Sequence, residues 1–419
     1  MYLEKKLERK LAIFTGVFKA TIISALVIFA LGIYDFILPI FTESQSENYL
    51  FVGLVVSLVY VASFLAEIPV GLSVDKFGRV KILLISIFSL SILTLAYFFF
   101  SENIIILAIL SLIFGALSVA FWVPSAVLIR DFSPRKMLAQ AEGIYLTASQ
   151  LGWIFGPILG GIVAAQISEK FNFLIMFIFL IAAALFTLFL FGRSEKVKAI
   201  RAEEKGHKHK PRLLLLFTIF KEFVQLHRHT KHIYLLCFLT HFWLAIEWAF
   251  VPLASMELWH FNETGAGILL GTMMVGEGLL YYSSSYIMDK IGKKYIVTSG
   301  FLLLFAAAYF MFLANSWKMF VFFAILAGAA VAWILPGIEA MLTEILPENI
   351  YGEMSGVFDT SKDFGLLTGP LIGGLFANKF GVSSTLLLVT FLAGFGALWA
   401  GLVFWPGKKQ AKIMQKSKA

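Results

Sequence analysis

The feature that most constrains this chain is the recurrence of apolar runs of about 20 residues along nearly its whole length, from Ala20 to Phe404. Each run is long enough to cross about 30 Å of hydrocarbon as a helix. A lone signal or anchor would give one such run; here little chain is left for a separate water-soluble domain. Of the 419 residues, 59% are hydrophobic and 14% charged, against roughly 45–50% and 25% in soluble domains. Read against breaks of Gly, Pro, Asn and charge, the runs predict an all-α integral membrane protein with twelve transmembrane helices. They cover residues 14–40, 49–73, 80–99, 103–130, 140–166, 172–192, 233–257, 265–288, 294–314, 318–343, 352–377 and 382–405.

An even number of crossings puts both termini on one side. With that side cytoplasmic, all of the 34 Lys and Arg residues except Lys170, Lys318 and Lys379 fall on it or on helix ends facing it, as the positive-inside rule requires. The predicted external turns carry Glu43, Glu47, Glu102, Glu169, Glu257 and Glu263. The net charge of +8 therefore reports topology, and no nucleic-acid partner is expected, because that would need an exposed basic face on a folded domain. Cys237, the single cysteine, lies in an apolar run, which excludes intramolecular disulfides and cysteine zinc sites. No metal-ligand cluster stands out.

The longest break, Arg193 to His232, holds eleven Lys or Arg against four acids. It divides the chain into an N-terminal six-helix half (1–192), a cytoplasmic linker (193–232), a C-terminal six-helix half (233–405) and a basic cytoplasmic tail (406–419). Within the linker, Leu213 to Phe223 reads either as a helix lying in the lipid interface, its basic flanks drawn to anionic headgroups, or as an ordinary linker helix.

The halves carry the same punctuation. Asp75, Lys76 and Gly78 close the second helix, and Asp289, Lys290 and Gly292 close the eighth, 214 residues later. In the fifth helix stand Gly143, Gly152, Gly156, Pro157, Gly160 and Gly161; in the eleventh, Gly356, Gly365, Gly369, Pro370, Gly373 and Gly374 repeat that spacing at an offset of 213. Pro39 with Pro252, and Gly115 with Gly328, share the offset. Two pseudo-symmetric halves made by duplication are the plan of secondary transporters, in which one half rocks against the other around a midplane site.

The stretch containing Gly71, Asp75, Lys76, Gly78, Arg79 and Lys81 resembles the loop signature of the major facilitator superfamily. The Gly143 to Gly161 pattern resembles that superfamily's antiporter signature, which associates the chain with its proton-coupled drug-efflux branch. With twelve spans and a central basic loop, the resemblance covers essentially the whole chain. On the family fold Asp75 lies near the cytoplasmic start of helix eleven, where the helix dipole would attract it while the cytoplasmic side is closed; Asp289 would latch the other half against helix five. The simpler reading is that these residues cap a turn and enforce topology. The resemblance implies a monomer in the cell membrane that moves a small-molecule substrate, with no cofactor and no enzymatic activity.

An acid near the bilayer centre costs roughly 2.5–3.5 kcal/mol on insertion scales, so each one needs a reason. The candidates are Asp35, Glu67, Glu247 and Glu277. At about 1.5 Å per residue, Glu247 and Glu277 lie within about 3 Å of their helix midpoints, Asp35 roughly 10 Å toward the outside and Glu67 roughly 9 Å toward the cytoplasm. Helices one and seven are expected cavity liners in this fold, which favours Asp35 and Glu247. A carboxyl protonated on one side of the cycle and not the other couples a proton gradient to transport. Glu67 reads equally as a structural hydrogen bond supporting the turn before Asp75. His241 reads as a histidine hydrogen-bonded between helices, and Asp359, Lys362 and Asp363 as a group pairing along one helix face. Trp122, Trp153, Trp243, Trp248 and Trp333 supply rings for an aromatic pocket suited to flat or cationic substrates, although most of the aromatic residues must face lipid or fill the bundle.

The reading that follows is proton-coupled export of small amphipathic compounds by alternating access. A nutrient importer or facilitator is the alternative, and a membrane receptor a remote one. Deep Arg residues are absent, which disfavours a strongly anionic substrate. No GxxxxGK[ST] loop occurs, which excludes ATP-driven pumping by this chain alone.

Overall fold

A backbone inside hydrocarbon must satisfy its own hydrogen bonds, which a helix does. The computed structural model describes residues 2–132, 138–191, 228–345 and 351–404, and these are helical with no strand. The first half comprises α1 (Tyr2–Ser46), α2 (Tyr49–Phe77), α3 (Arg79–Phe100), α4 (Ile104–Phe132), α5 (Leu138–Gln166) and α6 (Phe171–Phe191). The second comprises α7 (Arg228–Trp259), α8 (Glu263–Ile291), α9 (Lys293–Phe312), α10 (Trp317–Ile345), α11 (Tyr351–Phe380) and α12 (Ser384–Phe404). Each of the twelve expected spans corresponds to one helix. The segment Leu213 to Phe223 and the basic tail lie outside the described residues.

Packing repeats as the sequence does. In the first half α1 packs on α5 and α6, α2 on α4, and α3 on α4 and α6. In the second, α7 packs on α11 and α12, α8 on α10, and α9 on α10 and α12. The main contacts between halves, α2 on α11 and α5 on α8, are also one pair exchanged. Ten helices are long and apolar enough to span a membrane by themselves; α8 and α11 fall short. Both lie in the seam between halves, where protein neighbours rather than lipid tails meet the polar residues.

The repeated glycines mark the tightest crossings. A β-carbon on Gly156 would stand 2.9 Å from the Gly32 Cα, and one on Gly32 2.8 Å from the Gly152 carbonyl oxygen. At the matching α7–α11 crossing, a β-carbon on Gly369 would lie 2.8 Å from the Phe242 carbonyl oxygen and 2.9 Å from the Ala245 Cβ. Gly365 likewise lies against Phe238 and His241, while Gly160 meets the Phe36 ring and Gly373 the side chains of Ile246 and Phe250. Gly115 abuts the Val59 carbonyl at the α2–α4 crossing, as Gly328 abuts that of Met273 at α8–α10. The last glycine of each motif faces the opposite half: Gly161 meets the Glu263 carbonyl, and Gly374 the Tyr49 carbonyl and the Gly53 Cα. Gly143 meets nothing within 4 Å, and the surroundings of Gly356 lie outside the described residues.

Gly78 and Gly292 each end one helix and begin the next, with φ of +88° and +103°. Only glycine enters that region without strain, and each N–H closes the preceding helix by bonding the Val74 or Met288 carbonyl at 2.9 Å.

Candidate translocation site

The four acid candidates within the spans occupy three different places. Asp35, on α1, borders a small cavity between the halves whose wall includes Pro39, Tyr60 of α2 and Trp248 of α7. Pro39 and Asp35 are four residues apart and share a helix face, so proline and carboxyl both front this space.

Glu247, the residue before Trp248, looks elsewhere. It has no exposed surface and faces Glu277 of α8, and neither of its carboxyl oxygens has a hydrogen-bond partner. Glu277 is also buried, but its Oε1 accepts the Tyr281 hydroxyl at 2.8 Å. The two acids sequence reasoning placed at the midplane thus meet inside the second half, beside the cavity rather than within it. Tyr281 was visible in the sequence only as a residue four after Glu277, the spacing that brings side chains together on a helix.

Glu67 reaches across the halves. Its carboxyl lies within electrostatic range of Asp363 and Asp359 on α11, so Glu67 faces the other half. Nearby, Phe64 and Phe364 meet edge to face at 5.9 Å. Lys362 lies within electrostatic range of Asp359, Asp363 and Glu67, as the spacing along α11 suggested, with Glu67 added from the other half. His241 is corrected: its Nδ1 lies 2.9 Å from the Cys237 carbonyl oxygen, one turn back on its own helix, because that carbonyl is the acceptor within reach at i−4.

Three of the five tryptophans named above, out of nine in the chain, form a cluster that crosses the seam. Trp122 of α4 stacks on Trp153 of α5 at 6.4 Å, and Trp153 meets Trp248 of α7 edge-on at 5.0 Å. Through Trp248 the cluster adjoins the Asp35 cavity. Neither packing pattern nor periodicity singled out these three, since their proximity depends on how the halves dock.

At the end of the bundle carrying the α1–α2, α5–α6 and α7–α8 turns, the halves are closed on each other. The Tyr49 hydroxyl donates to Glu257, and the Thr264 hydroxyl to the Gly161 carbonyl at 3.2 Å. Further in, Ser57 donates to the Leu367 carbonyl at 2.8 Å and Gln150 to that of Met274 at 3.0 Å. At the opposite end stand the gating-motif residues. Asp75 is half-buried in the last turn of α2. Lys76 and Lys81 lie over the Phe77 ring at 5.1 and 5.5 Å, and Lys290 over Tyr286 at 4.2 Å; such placement suits basic residues at a membrane interface. The side chain of Asp289 lies outside the described residues. Gly71 and Arg79 are half-buried on either side of the turn.

Two matched six-helix bundles with acids concentrated at and beside their seam constitute a transporter architecture. The chain belongs to the Major Facilitator Superfamily, whose family model matches residues 20–253 and 233–418. It is therefore a multi-pass membrane transporter for a small-molecule substrate and not an enzyme. Among curated relatives, the Multi-drug resistance efflux pump PmrA of Streptococcus pneumoniae is 26% identical over 86% of this chain and 89% of its own. The Multidrug resistance protein MdtG of Citrobacter koseri is 24% identical, covering 87% and 88%. In fold, the chain resembles the nucleoside transporter NupG with a TM-score of 0.77 at 13% identity, over 93% of this chain and 99% of that one.

Proposed function

We propose that the chain exports small amphipathic compounds by alternating access and draws on the proton gradient to do so. The observation that carries this reading is Glu247: a carboxyl with no exposed surface and no hydrogen-bond partner, facing a second buried acid. A charge held there would lack solvent exposure and any hydrogen bond, the Trp243 indole N–H standing near it unbonded, so a proton is the simplest occupant, and a proton that comes and goes is a coupling ion. Asp35 at the cavity wall is the second candidate. The efflux pumps among the relatives favour export, and the tryptophan cluster beside Asp35 suits flat or cationic compounds. In this reading both termini are cytoplasmic, the closed end of the bundle is extracellular, and the transporter works as a monomer.

The test is transport in proteoliposomes containing a pH-sensitive dye, screened against amphipathic cations under imposed pH gradients. Asp35→Asn, Glu247→Gln and Glu277→Gln keep size while removing titration, so at least one should lose gradient-driven transport while retaining substrate exchange, normalised to folded protein. Full gradient-driven activity in all three would defeat the coupling assignment. Uptake of a nutrient with no response to the cations would favour the importer.

A further inference from the structure

Resting on the coupling reading above and going one step deeper into the same site, the observations concern which of the two facing acids holds the proton. Two carboxylates opposed in a medium of low dielectric do not both ionise. The surroundings of Glu247 and Glu277 are unequal. Glu277 accepts a hydrogen bond from the Tyr281 hydroxyl at 2.8 Å, and donation to an ionised oxygen is stronger than donation to a neutral one. Glu247 has no exposed surface and its carboxyl oxygens make no hydrogen bond; the Trp243 indole N–H, one turn back on α7, stands near it without bonding it. Among the described residues no cation acts on either carboxyl, while Lys362 of α11 lies within range of Glu339 of α10. Besides the pair, the charged group that reaches Tyr281 is another acid, Glu339 of α10, while the nearby α5 side chain is the neutral Gln150, committed to the Met274 carbonyl.

We propose that Glu247 and Glu277 form an asymmetric pair in which Glu247 holds the single proton and the Tyr281 hydroxyl keeps Glu277 ionised, which makes Tyr281 the positioning residue of the pair. Loss of the Glu247 proton then requires Glu277 to be neutralised or moved away first, so the state of α8 decides when the site discharges.

The test reads protonation directly. Infrared spectra of the purified transporter at neutral pH should contain a protonated-carboxyl C=O band that Glu247→Gln removes and Glu277→Gln leaves in place. Where Glu247→Gln does not yield folded protein, Glu247→Asp serves, because the band must then move in frequency. Tyr281→Phe removes the donor to Glu277 while keeping the ring. It should add a further protonated-carboxyl band and raise the pH of half-maximal transport by roughly one unit, a tenfold change in proton concentration. A band unaffected by substitution at Glu247, a band lost in Glu277→Gln, or a Tyr281→Phe protein with unchanged bands and pH profile would each overturn the assignment. If the bands behave as expected but proton gradients drive no transport, the pair stands and the coupling reading falls.

Discussion

The glycines of the α5 motif divide into those that hold one half together and one that meets the other half, and Gly161 tests the division. A methyl group there would overlap the Glu263 carbonyl at the closed end of the α5–α8 contact. The obstacle is backbone, so it cannot rotate aside. In a state with the halves parted at this end, the same methyl meets open space. Overpacking of a tight contact costs roughly 1–3 kcal/mol, and that penalty falls on one state only. Gly161→Ala should therefore shift the conformational equilibrium roughly 5- to 150-fold toward the state open at this end. The assay places a single cysteine at Leu38, a buried residue of the Asp35 cavity, in a Cys237→Ala background. Labelling by a membrane-impermeant thiol reagent from outside should accelerate toward that factor. Gly143→Ala is the control, since nothing stands within 4 Å of its β-carbon position. Unchanged labelling in Gly161→Ala, or equal acceleration in Gly143→Ala, would refute the division of labour.

Other outcomes follow from the same geometry. Gly156→Ala, which would press on the Gly32 backbone within one half, should lower thermal stability in detergent by roughly 1–3 kcal/mol without the labelling change. Trp153→Ala should weaken binding of an aromatic cation by about 0.5–2 kcal/mol, and Trp153→Phe by less, as read by fluorescence titration. Glu67 and Asp363 face each other across the halves and repel once both are ionised, so the distance between spin labels at the exposed Leu65 and Phe364 should lengthen with rising pH; Glu67→Gln, uncharged at any pH, should abolish that dependence. In the α5–α6 turn, burial holds the Glu169 carboxyl above its ordinary range, opposed by the Ser44 hydroxyl that donates to it at 2.6 Å. Its folded form binds a proton more tightly than its unfolded form, so stability should increase as pH falls through the folded value and level off below the unfolded one. Glu169→Gln should flatten that part of a thermal-unfolding profile measured against pH.

The helices and their pairing into two equivalent sets were legible in the sequence, because hydrocarbon leaves a spanning backbone one economical solution and because duplicated glycines impose duplicated crossings. Gly156 and Gly369 read as close-approach positions before any neighbour was known, and Gly32 with Ala245 then completed each crossing. The need for an explanation of Asp35, Glu67, Glu247 and Glu277 was legible too, since a charge in an apolar span is costly wherever it points. What each acid meets was decided by tertiary structure alone. Periodicity locates a residue on its own helix but says nothing of the rotation of that helix against its neighbours. Rotation sets Glu247 against Glu277 while its neighbour Trp248 fronts the Asp35 cavity. The docking of two halves far apart in sequence sets Glu67 against Asp363 and gathers Trp122, Trp153 and Trp248. Such contacts depend on side-chain packing summed over the whole seam, and no local stretch of the chain encodes that sum.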